Sequence, residues 1–225
     1  MDINIPKGFD TKVVTGGVKL AYIGKGMKES GIEKAVFETE LIRPKYIEPR
    51  NGGNLAAFEL RVDKSSDERV HNVGQIVSYN CDLNQDNGQV DCKRFMAKVL
   101  GAIAARNPGF EEIKDSAGNV IEKKVRLAAA DDPNAVTSGN LVRALNPDDA
   151  LHQMFIGTKL RAEMRVDHYT PTTGKNAGKP MSVERVTWTV LSRTPQLEAM
   201  QAQATAAIEK MNSDFKATLA AAKAA

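Results

Sequence analysis

Apolar and polar residues alternate with period two over several short stretches of this chain, and that period predicts strands. Ala35, Phe37, Thr39 and Leu41 alternate with Val36, Glu38, Glu40 and Ile42. After the turn-forming run 48–54, Ala56, Phe58, Leu60 and Val62 alternate with Ala57, Glu59, Arg61 and Asp63. The pair predicts a β-hairpin around a glycine-rich connection. A third strand follows from Gly74, with Val77, Tyr79, Cys81 and Leu83 on its apolar side. The period then changes to that of a helix. Cys92, Phe95, Met96, Val99, Leu100 and Ile103 gather on one stripe, with Arg94, Ala97, Lys98, Gly101 and Ala105 opposite. Turn chemistry over 84–88, Asp91 as N-cap and Asn107-Pro108-Gly109 as terminator bound the predicted helix.

Strand alternation returns at Leu160, Ala162, Met164 and Val166, and again at Val186, Trp188 and Val190. A polar loop over 168–180 separates these two runs. Between helix and fourth strand, the stretch 113–121 predicts a small hairpin, and Asn146-Pro147 predicts the start of a short helix. Thr194-Pro195 opens an alanine-rich helix to the C-terminus. On it Leu197, Met200, Ala204, Ile208, Met211, Phe215 and Leu219 form a stripe. Part of that stripe is expected to meet a protein partner or a second copy of the chain, the alternative being that it folds back along its own barrel. Trp188 and Tyr79 are expected in the core because both alternate with apolar neighbours.

Length and composition narrow the class of function. With 225 residues, 42% hydrophobic and 26% charged, the chain suits one sizeable soluble domain. A net charge of +3 permits a nucleic-acid partner without requiring one. Cys81 and Cys92 read as small core residues, and no motif supports a zinc site. Gly24-Lys25-Gly26 lacks the third glycine of a dinucleotide fingerprint, and the run 174–180 is one residue short of a P-loop. His71, His152 and His168 are scattered. The sequence therefore predicts no enzyme, no cofactor and no metal. It shows neither a signal peptide nor an apolar run near ~20 residues, so a cytoplasmic location is expected.

Cations are informative by position. Arg43, Arg61, Arg161, Arg165 and Arg185 fall opposite the apolar sets of the predicted strands or at their ends. The loops add Lys45, Tyr46 and Arg50 on one side, then Tyr169, Lys175 and Lys179 on the other. Cations can track a phosphate backbone while tyrosine offers a stacking face for bases. These eleven residues form the expected DNA-binding set, although Glu59, Glu163 and Glu184 are interleaved with them.

Three strands, a helix and two more strands is the order of the five-stranded oligonucleotide-binding (OB) barrel. The chain resembles the small single-stranded DNA-binding proteins encoded by tailed bacteriophages. The resemblance is carried by Gly74-Gln75-Ile76-Val77-Ser78, by Lys93-Arg94-Phe95 with Val99-Leu100-Gly101, by Gly157-Thr158-Lys159-Leu160-Arg161-Ala162 and by Gly178-Lys179-Pro180. It implies a mainly β fold, a five-stranded OB-type barrel over residues 34–192 with one plug helix after strand three. An N-terminal arm (1–33) and a C-terminal helix (193–225) would flank it. The implied function is binding of single-stranded DNA with little sequence preference during phage replication or recombination, in the host cytoplasm. The loops 45–54 and 168–181 would flank the DNA groove. In place of the acidic tail that many bacterial-type relatives use to recruit partners, this chain carries a near-neutral helix. The rival expectation is an adaptor whose barrel and helix bind protein.

Overall fold

The computed structural model describes residues 20–47, 54–101, 109–114, 116–118, 120–126 and 136–224. Six strands form one sheet: β1 (Ala21–Tyr22), β2 (Lys34–Ile47), β3 (Leu55–Ser65), β4 (Ile76–Asp82), β7 (Lys159–Tyr169) and β8 (Met181–Ser192). Their order is β1-β4-β3-β2-β7-β8, antiparallel throughout except for the parallel β1–β4 pair. The sheet is open in its pairing, with β1 and β8 as edges, and has one strand more than the sequence predicts. A separate hairpin, β5 (Gly109–Lys114) with β6 (Val120–Arg126), falls at the stretch 113–121 expected to form one and extends beyond it on both sides.

Helix α1 (Asp86–Leu100) covers the apolar face of the sheet. Its Cys92, Phe95, Met96 and Val99 are buried, as the stripe predicts. The Phe95 ring lies 4.4 Å from Phe58 on β3, 5.3 Å from Tyr79 on β4 and 5.0 Å from Trp188 on β8. Tyr79 and Trp188 are themselves 5.2 Å apart, although four other strand pairings separate β4 from β8 in the sheet order. The sheet therefore curls around the helix until its far strands meet over Phe95. Both cysteines are buried and unbridged.

The ends of α1 differ from expectation. The helix starts at Asp86, with Gln85 at the N-cap, so Asp91 lies within it and caps nothing. Gly88 permits this early start, because a Cβ there would sit 2.0 Å from the Asp82 carbonyl oxygen. At the other end the helix stops at Gly101, whose φ of 62° favours glycine. Arg193, just beyond β8, donates to the Lys98 and Val99 carbonyls at 2.9 Å each and satisfies that terminus. Ala97, placed opposite the stripe, is fully buried as well. Ile103, Ala105, Asn107 and Pro108 lie outside the described residues.

Residues 20–33 belong to the fold rather than to an arm. Ile23 and Met27 are fully buried, and β1 adds to the edge of β4. From there Lys28 reaches β8, pairing with Glu184 at 3.1 Å and donating to the Ser182 carbonyl at 2.7 Å. The segment so bridges the gap between the two edges of the sheet. Its glycines and lysines hid three core residues among them, Ile23, Met27 and Ile32; residues 1–19 lie outside the described part.

Two short helices follow the hairpin. Helix α2 (Ser138–Leu145), capped by Thr137, has no counterpart in the sequence reading. Helix α3 (Ala150–Phe155) is capped by Asp149, whose Oδ1 accepts from the Leu151 amide at 2.8 Å. Asn146 instead accepts from the Asp148 amide in a turn, so the predicted cap lies three residues early. Helix α4 (Pro195–Ala224) begins where expected. Thr194 accepts from the Leu197 amide and donates to the Met154 carbonyl, and Leu197 is fully buried. Beyond its first turns α4 runs beside β6, and Met211 on its stripe is 39% exposed. No described helix is long and apolar enough to cross a membrane.

Two outcomes follow from this packing. Phe95→Ala should cost about 3–5 kcal/mol, because the cavity opens where three strands meet the helix. Arg94→Ala, whose side chain is about half exposed, should stay within about 0.5 kcal/mol; equal melting temperatures would refute the assigned helix face.

The second outcome concerns acid. His71 donates through Nε2 to the Ile23 carbonyl, 2.7 Å away, and His152 donates through Nδ1 to the Ala144 carbonyl at 2.9 Å. Burial, ahead of every other cause, lowers both below the ordinary value of 6.5. The unfolded chain therefore takes up protons first, and stability falls as pH drops through and below that value. Thermal unfolding from pH 8 to 5 should show this slope, and His71→Gln/His152→Gln should flatten it. An undiminished slope in the double variant would place the acid sensitivity elsewhere.

Candidate nucleic-acid interface

The face of the sheet turned away from α1 carries the charges, and two β-bulges decide which side chains reach it. Opposite β3, the register of β2 shifts between Leu41 and Arg43, so that Ile42 is the extra residue. Beyond it Pro44 and Tyr46 oppose Phe58 and Ala56 on the core side, while Arg43 and Lys45 move to the polar face. A second shift between Glu38 and Thr39 leaves Asp63 as the extra residue on β3. It puts Asp63 and Lys64, neighbours in sequence, within reach of the same charged face.

Glu59 is the most buried charge on this face, 6% exposed. Arg43 donates to its Oε2 through Nε at 3.1 Å and Nη2 at 2.8 Å, and Lys45 donates to its Oε1. Burial raises the Glu59 pKa and is the largest single influence, but the Lys45 and Arg43 hydrogen bonds outweigh it and hold the carboxyl below the ordinary range. Two cations are thereby committed to one carboxylate.

Next along the sheet, Arg61, Glu40, Lys159 and Asp63 close a ring of alternating charge. Arg61 reaches Glu40 at 2.7 Å and Asp63 at 3.1 Å; Lys159 reaches Glu40 at 2.5 Å and Asp63 at 2.6 Å. Two cations meet two carboxylates there, and the charges cancel. Arg161 lies 3.5 Å from Glu38, which Lys64 also contacts at 2.7 Å. Towards the far end of the β7–β8 hairpin, Arg165 and Arg185 share Asp167 at 3.1 and 2.8 Å.

The sequence-predicted set thus falls into three groups. Arg43, Lys45, Arg61, Arg161, Arg165 and Arg185 share one face, and every one of them is paired to a carboxylate. Tyr46 does not join them, because the bulge at Ile42 turns its ring to the core and its hydroxyl donates to Asn54. Tyr169, Lys175 and Lys179 lie at or beyond the end of β7, all exposed, with Tyr169 at 48%. Arg50 lies outside the described residues. Glu184 is not interleaved with the arginines but holds Lys28 across the edge gap.

Sequence alternation placed Glu38, Glu40, Asp63 and Asp167 on the polar sides of their strands without pairing them to the cations, and it missed Lys159 and Lys64 as members of this face. Simple alternation marks Lys159 and Asp167, which lie an even number of residues from Arg161 and Arg165; Lys64 carries no such signal because a bulge puts it there. From Thr170 to Val183 there is no acidic residue, so Lys175 and Lys179 have no carboxylate in their own loop. Among the described residues no cluster of three or more metal-binding side chains occurs. No protein-family model matches the chain, and no curated protein matches it significantly.

The Glu59 cluster makes a direct test of this electrostatic arrangement. Glu59→Gln keeps the shape but turns an amide nitrogen towards a cation, at a cost on the order of 1–3 kcal/mol near neutral pH. Because the folded-state pKa is depressed, the contribution is present above the ordinary carboxylate range and is lost as pH falls through and below it. Melting curves of the two proteins should therefore diverge at pH 7 and converge near pH 3. Coincident curves at pH 7 would show that Arg43 and Lys45 gain nothing from Glu59.

Proposed function

We propose that this protein binds single-stranded DNA without catalysis and with little sequence preference. The observation that carries the proposal is the distribution of unbalanced charge. On the polar face only the Arg61–Lys159 ring is matched one to one, while Glu59, Glu38 and Asp167 each serve two cations. The β7–β8 hairpin adds most to this excess, because beyond Arg165 and Arg185 it carries Lys175 and Lys179 in an acid-free loop. Exposed Tyr169 stands between these two groups of cations.

Such a combination suits a flexible strand. Phosphates are drawn to cations at a strength that depends on salt, and any base can stack on a tyrosine ring. We read the curled sheet, with α1 against its open side, as an OB-type barrel that is partly open in its pairing. In this reading the 20–33 segment stands in the gap between the edge strands. The sequence resemblance to phage single-stranded DNA-binding proteins supports a role in replication or recombination. A protein-binding adaptor remains the rival, favoured by the incompletely covered stripe of α4.

A fluorescently labelled oligothymidylate separates the two. The full-length protein should bind it with an affinity that falls steeply between about 50 and 200 mM salt. Lys175→Ala/Lys179→Ala should weaken binding and make the salt slope shallower by up to about two. Tyr169→Ala should weaken binding by about 1–3 kcal/mol with no change in slope. Salt-insensitive binding, or none, would overturn the proposal.

A further inference from the structure

Arg165 and Arg185 are direct cross-strand partners in the β7–β8 ladder. Like charges directly opposite one another destabilise a sheet, so this pair calls for an anion between them. Asp167, two residues along β7 on the same face, supplies one. Nε of Arg165 lies 3.1 Å from its Oδ1 and Nε of Arg185 lies 2.8 Å from its Oδ2. One carboxylate therefore serves two guanidiniums, while Glu163, exposed two residues before Arg165 on the same face, forms no ion pair with either of them.

The geometry also leaves donors available. In both arginines Nε is the nitrogen nearest Asp167, and the contacts are ion pairs without a directed hydrogen bond. The side chains remain 59% and 62% exposed, and neither has another ion pair among the described residues. The other clusters on the face differ: Glu59 is buried beneath Arg43 and Lys45, the Arg61–Lys159 ring is neutral, and Glu38 is shared by a lysine and an arginine rather than by two guanidiniums.

We propose that Arg165, Asp167 and Arg185 form a phosphate clamp, in which Asp167 positions the two guanidiniums and a phosphodiester of the bound strand takes the remaining charge. The proposal rests on the single-stranded DNA reading above. A guanidinium presents paired N–H donors that match two oxygens of one phosphate, which an ammonium cannot do. Holding both long side chains against Asp167 beforehand reduces the rotamer freedom lost on binding. Tyr169 lies on the same face two residues beyond Asp167, roughly 7 Å along the strand. A base stacked there and a phosphate in the clamp would belong to neighbouring positions of one strand.

Asp167 as a positioning residue and Asp167 as a mere competitor of phosphate predict opposite signs. Removing a competing acid tightens binding to a polyanion, whereas removing the positioning group weakens it. The measurement is anisotropy of a labelled oligothymidylate with the full-length protein at two salt concentrations, below the melting temperature of every variant. Asp167→Asn should weaken binding roughly tenfold, the cost of ordering two freed side chains. Arg165→Lys and Arg185→Lys keep both charge and Asp167; each should weaken binding by a similar factor while leaving the salt slope unchanged. Unchanged or tighter binding by Asp167→Asn, with salt-sensitive binding by the unsubstituted protein, would overturn the clamp and leave the DNA reading standing. Full affinity in both lysine variants would overturn the clamp in the same way. Loss of salt-sensitive binding by the unsubstituted protein itself would sink both.

Discussion

Phe95 is the contact on which the architecture depends. A six-stranded sheet with unpaired edges has no hydrogen-bonding reason to curl. Here a single ring on α1 touches Phe58, Tyr79 and Trp188, from three strands that include both flanks of the sheet. Edge-to-face and tilted ring packing adds to the burial of large apolar area. Bringing β4 and β8 together over one helix face closes the core with no ladder between them among the described residues. Lys28 and Arg193 complete the closure with polar contacts, one to β8 and the other to the end of α1.

The opposite face follows a different rule. Its cations and carboxylates are set by strand pairing and by two bulges rather than by apolar packing. Each bulge adds one residue to one strand and so changes which side chains reach the face. The first delivers Arg43 and Lys45 to Glu59 and sends Tyr46 inward. The second brings Asp63 and Lys64 together beside Glu38 and Glu40. An arginine count along the strands would suggest a broad basic track, yet pairing cancels most of it. Each carboxylate that serves two cations leaves one charge in excess, and the β7–β8 hairpin adds to its own excess the two lysines of an acid-free loop, where a ligand can reach them without displacing internal carboxylates.

The sequence by itself determined the elements whose burial is one-sided. Period two located β2, β3, β4, β7 and β8, period 3.6 gave the buried stripe of α1, and Thr194-Pro195 marked the start of α4. These are local signals, repeated over many residues, and a single substitution would not erase them. Tyr79 and Trp188 were legible as core residues for the same reason. So was the exposure of Tyr169, Lys175 and Lys179, since nothing apolar surrounds them in the chain.

Only the tertiary structure decided the rest, because each remaining feature depends on residues distant in sequence. Ile23 and Met27 are core residues only because β1 finds the edge of β4. The start of α1 at Asp86 depends on Gly88 passing close to Asp82, and its end depends on Arg193, more than ninety residues away. A bulge leaves no mark in hydrophobic alternation shorter than the shift it causes, so Tyr46 could not be told from a stacking platform. The pairing of each arginine with its carboxylate is likewise a property of strand register. Charge composition is a sum along the chain, whereas the charge available to a ligand is what neighbouring strands leave uncancelled.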